Sequence, residues 1–275
     1  MPGPELEYNP RYIASTYTPP PAKMAVRKRC LLWDWTNTRD IPDTIEQLNF
    51  SGPFSSVANW NPWVPPELKG RLPYRPTIRT PAQLEGNDWA MIADYERNRH
   101  EVVHYFNEPE RIPGCTPELA ADKWVTQVVP LLRATQSRKL VGPAVASDDA
   151  GRAWLRRFMA LVAGCVPDYL GVHYYGTVAA EARAYITSMH EEWPSLPVVV
   201  SEVASISRSG PEVEKFTAEL ANWLDETEWV YEYAFFGCMN HCADDFVSPA
   251  AQLMDKDGKF TPLMKRLMDE QPMKV

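Results

Sequence analysis

Within RHEVVHYFNEPE, residues 99–110, two chemistries compete for the same side chains. From His100 the spacing is H-E-x-x-H, which on a helix puts His100 and His104 on one face as zinc ligands, with Glu101 beside them as base. From Asn107 it is Asn-Glu-Pro closing an apolar run, which on a strand delivers Glu108 to the strand end as a proton-exchanging carboxyl. The two readings need different backbones. Val102, Val103, His104, Tyr105 and Phe106 are β-branched or aromatic with one His among them, poor material for a helix. Pro109 pushes Glu108 out of helical dihedrals. No His follows His104 until His173, so a third ligand at metalloprotease spacing is missing. The strand is the expected form, with His104, Phe106 and Glu108 sharing one face.

A second carboxylate has the same setting. Glu202 ends the run PVVVSEV, and strict alternation places Val198, Val200 and Glu202 on one face. Either Glu alone reads as an ordinary loop carboxylate. Together, projecting into one aromatic-lined cleft, they suit cleavage of a glycosidic bond, where one carboxyl is held protonated and the other stays charged to attack the anomeric carbon.

Eight β-rich runs position these residues: 30–35, 55–60, 75–80, 101–106, 139–145, 169–175, 197–203 and 231–237. Amphipathic stretches at 84–98, 117–134, 150–163, 178–192, 211–226 and 260–270 lie between or after them, the second opened by Thr116 and Pro117 as cap and first residue. Strand and helix repeated to eight strands predict a single-domain α/β protein, a (β/α)8 TIM barrel over 26–275, behind a Pro-rich arm at 1–25. An open doubly wound sheet fits less well, because no Gly-rich phosphate loop follows an early strand. In such a barrel the active site lies at the C-terminal strand ends, where Glu108 and Glu202 fall fourth and seventh of eight.

A net charge of −8 argues against nucleic acid as partner, and a neutral polymer suffers no such penalty. No window approaches the ~18 apolar residues of a membrane span. Residues 1–23 show no apolar segment of signal-peptide type. The five Cys are odd in number, and Asn49-Phe50-Ser51 fits a glycosylation acceptor. Cys238-Met-Asn-His-Cys242 offers three soft ligands and no fourth, so a local disulfide or two thiols is expected there. Asp148-Asp149 and Asp244-Asp245 read as solvated loop acids. No metal and no cofactor are expected.

The motifs ANWNPW (58–63), YFNEPE (105–110), VGPAVAS (141–147), GVHYYG (171–176), VVVSEVA (198–204) and AFFG (234–237) together resemble glycoside hydrolase family 128, the Asl1-like β-1,3-glucanases of clan A, over roughly 30–270. The resemblance implies a retaining glucanase with Glu108 as acid/base and Glu202 as nucleophile. It implies Asn107 on the sugar 2-hydroxyl, and His173 and Tyr175 shaping the nucleophile's surroundings. Where the family's last strand motif usually carries Trp, this chain has Phe235, so a smaller sugar platform is expected there. That departure keeps a glucan-binding protein of weak activity as the alternative. The aromatics Trp35, Trp60, Trp63, Tyr174, Tyr175 and Phe236 sit at or beyond strand ends, suited to packing on pyranose C–H faces, with Asn59 as a hydrogen-bonding neighbour. The expected partner is a β-1,3-glucan or its oligosaccharides. The protein is expected to be a monomer, secreted or wall-associated, with an intracellular location left open.

Overall fold

The computed structural model describes residues 27–94, 100–242 and 246–275, so the expected N-terminal arm lies outside the described residues. Among the described residues nine parallel strands carry the fold: β1 (Arg29–Leu32), β2 (Phe54–Ala58), β3 (Tyr74–Arg75), β4 (Thr77–Ile78), β5 (Val102–Tyr105), β6 (Lys139–Val141), β7 (Leu170–Gly176), β8 (Val198–Ser205) and β9 (Val230–Phe235). Six form a sheet in the order β3-β2-β1-β9-β8-β7, and three form β4-β5-β6. Each of the eight runs expected from the sequence holds a strand. The run at 75–80 is shared by two short ones, because Pro76 has no N–H for the ladder and interrupts it. The chain through Pro76 nevertheless keeps pairing, since its carbonyl accepts the His104 N–H at 2.9 Å. At the other edge, isolated parallel bridges Val141↔Tyr169 and Val145↔Val172 link the line of β6 to β7. The fold is α/β with parallel sheet.

Helices α1 (Trp35–Asp40), α2 (Gly86–Ala93), α3 (Pro117–Lys123), α4 (Asp149–Leu161), α5 (Ala179–Glu192), α6 (Gly210–Glu226) and α7 (Pro262–Asp269) follow their strands. The helix expected to 98 is seen to Ala93, and residues 95–99 lie outside the described set. Thr116 caps α3 by accepting the Leu119 N–H at 3.2 Å, with Pro117 as first residue, and the helix runs on as a π-type segment to Thr135. Among the described residues no helix is long and apolar enough to cross a membrane.

The strands have two differently built faces. One packs against the helices, with Val103, Tyr105, Val198, Val200, Tyr233 and Phe235 in the main core. The other makes small clusters from strand residues: Val102, Val141 and Val199 in one, and Cys30, Leu32, Ala58 and Ala234 in another. This inner face also carries charge, because Arg75 is buried against Glu232 at 3.1 Å, and Glu232 accepts from Ser56 as well. None of the five cysteines is in a disulfide, which decides the Cys238–Cys242 loop in favour of thiols.

Candidate active site

The H-E-x-x-H geometry does not form. Residues 102–105 are a strand, and a strand rises ~3.3 Å per residue, so residues four apart stand roughly 13 Å from each other. His100 instead packs edge-on to Tyr74 at 5.3 Å. His104 lines a small cavity of ≈ 20 Å³ on the inner face, its imidazole held down to about 3 by burial, with Arg75 and His173 adding repulsion.

Glu108 follows β5 in a left-handed conformation, φ 43° and ψ 55°. Its N–H donates to Ala144 O at 2.8 Å, and Asn107 N–H to Arg79 O at 3.1 Å, so the neighbouring strand ends fix the turn from both sides. A non-glycine residue in this region costs about 1–3 kcal/mol. Trp60, beyond β2, also has positive φ at 60°. Strain is thus held at two residues of one site.

Glu202 reaches that site by a different route from the alternation expected. Val172 pairs with Val200, but His173 pairs with Glu202, so Ser201 is an extra residue in β8. The bulge reverses the pattern. Val198 and Val200 face the helices, Val199 faces inward, and Glu202 is brought inward only after the bulge. Its Oε1 then accepts the Trp60 indole N–H at 2.6 Å, and its Oε2 the Tyr175 hydroxyl at 2.7 Å.

His173 lies fully buried between the two acids, Nδ1 3.1 Å from Glu108 Oε1 and Nε2 3.6 Å from Glu202 Oε1. The three groups come within 4.8 Å of one another, an arrangement seen once among the described residues. Each acid faces a different ring nitrogen: Nδ1 is hydrogen-bonded to Glu108, whereas Nε2 stands 3.6 Å from Glu202, a close contact without a hydrogen bond. Burial alone would push the Glu108 carboxyl up. The His173 hydrogen bond and charge, with Arg111 at 3.5 Å, outweigh it, and Glu108 sits below the usual carboxylate range. Burial likewise opposes charge on His173, but Glu202 and then Glu108 outweigh it and hold the imidazole above its ordinary value. Glu110, two residues beyond Glu108, is raised by burial even though its Oε1 accepts the Ala146 N–H at 2.8 Å.

A cleft of ≈ 790 Å³ opens above these acids at the C-terminal strand ends. Of the residues expected there, Trp35, Asn59, Trp60, Trp63, Asn107, Glu108, Tyr175, Glu202 and Phe236 line it. Trp35 is 44% exposed at the rim with the Arg39 guanidinium 4.7 Å above its ring. Asn59 is pinned, its Oδ1 accepting from the Tyr74 hydroxyl and from Asn61 N–H at 3.2 Å. Trp60 and Phe236 rings meet at 5.5 Å and form one wall.

Three expectations are corrected. Tyr174 does not face the cleft: alternation on β7 sends His173 and Tyr175 to one side and Tyr174 to the other, where it packs 5.6 Å from Tyr185 of α5. His173 shapes the nucleophile's surroundings as expected, 3.6 Å from Glu202, but as a substrate contact it is corrected, being sealed beneath the cleft rather than lining it. Phe235 is 7% exposed in the core beside Tyr233, so it never offered a sugar platform; Phe236 is the aromatic of that motif in the cleft. Sequence reasoning missed Asp34, Arg79, His241, Phe246 and Gln252 as lining residues. Asp34 and Arg79 carry a usable signal, since each follows a strand by one or two residues. Phe246, edge-on to Tyr175 at 5.1 Å, comes from a loop with no such signal. Asp148 is no idle acid, for it caps α4 through Gly151 N–H and pairs with Arg111 at 2.8 Å; Asp244 and Asp245 lie outside the described residues.

The described geometry can be set beside known proteins. A family model described as a glycosyl hydrolase catalytic core matches residues 33–266. No curated protein matches the chain. Among solved structures, a family 128 subgroup VI exo-β-1,3-glucanase from Aureobasidium namibiae is 52% identical, covering 92% of this chain and 100% of its own, with a TM-score of 0.89. A subgroup V exo-β-1,3-glucanase from Cryptococcus neoformans is 26% identical over 88% of this chain and 98% of its own, TM-score 0.74. A subgroup IV endo-β-1,3-glucanase from Lentinula edodes is 27% identical over 88% and 99%, TM-score 0.75. With the paired strand-end acids, the buried histidine between them and this match along nearly the whole chain, the protein belongs to glycoside hydrolase family 128.

Proposed function

We propose that the protein hydrolyses β-1,3-glucan with net retention, on strands that close into a (β/α)8 barrel. Closure is supported by Tyr74–Ile78, which spans both sheets, and by the Val141↔Tyr169 and Val145↔Val172 bridges at the other seam. The observation that carries the mechanism is the unequal setting of the two acids. Both Glu202 oxygens accept hydrogen bonds, from the Trp60 indole N–H and the Tyr175 hydroxyl, which together fix the aim of the carboxylate. This is the nucleophile. Glu108 is 25% exposed towards the cleft and meets His173, which can exchange a proton with it, and Arg111, which forms an ion pair with it. This is the acid/base. Carboxylate oxygens within 4.8 Å suit the roughly 5–5.5 Å carboxyl spacing of double displacement better than the wider spacing of inversion.

Glu202 would attack the anomeric carbon while Glu108 protonates the departing oxygen, and Glu108 would then deprotonate water to release the sugar. Action from a chain end, as named for the A. namibiae relative, is taken for this chain. The non-catalytic alternative drew on a smaller platform at Phe235, a residue that packs in the core.

Azide tests the roles. In Glu202→Ala, azide fills the space left by the carboxylate and attacks from its face, giving an α-glucosyl azide. In Glu108→Ala, a substrate with a good leaving group still glycosylates Glu202, and azide intercepts from the opposite face to give the β-azide. Reversed anomers would mean the roles are exchanged. A Glu202→Ala variant that hydrolyses laminarin as well as the parent would refute the function.

A further inference from the structure

His173 turns one ring nitrogen to each acid, 3.1 Å to Glu108 and 3.6 Å to Glu202, inside a site where the ring has no exposure. A neutral imidazole has one N–H. Between two ionised carboxylates it would have to point a lone pair at one of them. Two arrangements avoid this. Either an imidazolium sits between two carboxylates, or a neutral ring donates Nε2–H towards Glu202 while Nδ1 accepts from a protonated Glu108. Both contain the same number of protons. They differ in where one proton lies along the Nδ1–Oε1 contact. The charged and titratable groups facing the ring are Glu108 from the end of β5, Glu110 from the turn after it, Glu202 from β8, and His104 from β5, which burial keeps neutral.

We propose that His173 stores the catalytic proton in the resting protein and passes it to Glu108 when a glucan chain covers the cleft. The proposal rests on the reading of Glu108 as the acid. At rest, Nδ1–H of the imidazolium donates to ionised Glu108. When bound substrate excludes water, the separated charges lose solvation and the neutral pair gains relative to them. The Nδ1–H bond breaks and the Glu108 O–H bond forms. Glu202 attacks, the glycosidic C–O bond breaks, and the proton leaves on the departing oxygen. Glu202 is now an ester, the ring is neutral and Glu108 is ionised, facing the Nδ1 lone pair. That repulsion makes Glu108 a stronger base towards water. When water attacks the anomeric carbon, Glu108 takes its proton, the ester bond to Glu202 breaks, and the proton returns to Nδ1. Charge and protons balance over the cycle. The arrangement also accounts for an acid whose carboxyl is held below the usual range in the free protein.

His173 is thus a positioning residue for a proton, and a pH profile distinguishes this from a purely structural role. The basic limb of kcat/KM on a laminari-oligosaccharide reports loss of the acid's proton in free protein. With storage, that limb belongs to the His173–Glu108 pair. His173→Gln leaves the proton on Glu108 alone, and the limb falls by about one pH unit or more. If His173 merely depresses Glu108, the same substitution raises the limb; that outcome, or no movement, overturns the proposal. Should His173→Gln not fold, ring 15N spectra of the parent decide, because the chain has only five histidines to assign. Both His173 nitrogens protonated at pH 6 is the expected result, and a neutral ring overturns storage. Glu108→Gln keeps the two failures apart. On a laminaribioside with a dinitrophenyl leaving group, which needs no acid, it should lose the basic limb. If it keeps the parent's limb, another group is the acid and the reading of Glu108 fails, whatever the ring spectrum shows.

Discussion

Phe235→Trp is the substitution that residue patterns alone would recommend, because a Trp in that motif would enlarge the sugar platform. The packing predicts the opposite. Phe235 is 7% exposed, edge-on to Tyr233 at 6.0 Å, and faces the helix side of β9. The cavity beside it, walled by Leu253 and Leu267, measures ≈ 10 Å³, about one water and far less than a fused ring needs. Overpacking of this kind costs about 1–3 kcal/mol. At roughly 2–4 °C per kcal/mol for a chain of this size, Tm should fall by about 2–12 °C. Because the side chain does not line the cleft, KM for laminari-oligosaccharides at a temperature where the variant is folded should match the parent's. Phe236→Trp is the informative contrast: it lies on the cleft wall against Trp60, and it should change KM. Calorimetry and steady-state kinetics on both variants suffice. A Phe235→Trp protein with unchanged Tm and a lowered KM would refute the placement of these two rings and the argument built on it.

Two further outcomes concern the inner face beneath the site. Glu232→Ala strands the Arg75 guanidinium, buried with Glu232 as its ion-pair partner, and should cost about 3–5 kcal/mol by urea unfolding; the double variant Arg75→Met, Glu232→Leu should recover most of it, and a single variant within 1 kcal/mol of the parent, on the order of error, would contradict the burial. His104, held down to about 3 when folded, takes up its proton in the unfolded chain near 6.5, so the unfolded state binds more protons between those values and stability falls as pH falls through them. Between pH 7 and 5 the parent should lose about 2 kcal/mol more than His104→Gln, and equal losses would show that His104 is not buried neutral.

What the sequence disclosed was whatever depends on period and on punctuation. Eight β-rich runs, a Thr-Pro helix start and a proline after Glu108 each act through local backbone preference, and each leaves a mark in residue type. What it hid depends on single-residue displacements that leave none. Three consecutive valines at 198–200 satisfy either face of a strand, so nothing in PVVVSEV reveals that Ser201 is the extra residue. The expected alternation reached the right glutamate with the wrong valines beneath it. The pairs Tyr174–Tyr175 and Phe235–Phe236 pose the same difficulty, since adjacent aromatics differ only in the side they face, and register decides that. Left-handed Trp60 and Glu108 are hidden for another reason. Where glycine stands at positive φ the residue type announces it, but a Trp or Glu there is held by tertiary contacts, in this case the Trp60 bond to Glu202 and the Glu108 bond to Ala144. The function of His173 lay furthest from view. Its type and strand were plain, yet its role follows from two distances to residues 65 and 29 positions away, set by a strand end and a bulge. The local pattern put both acids at one end of the sheet. Long-range register decides which groups stand between them, and therefore where a proton can rest.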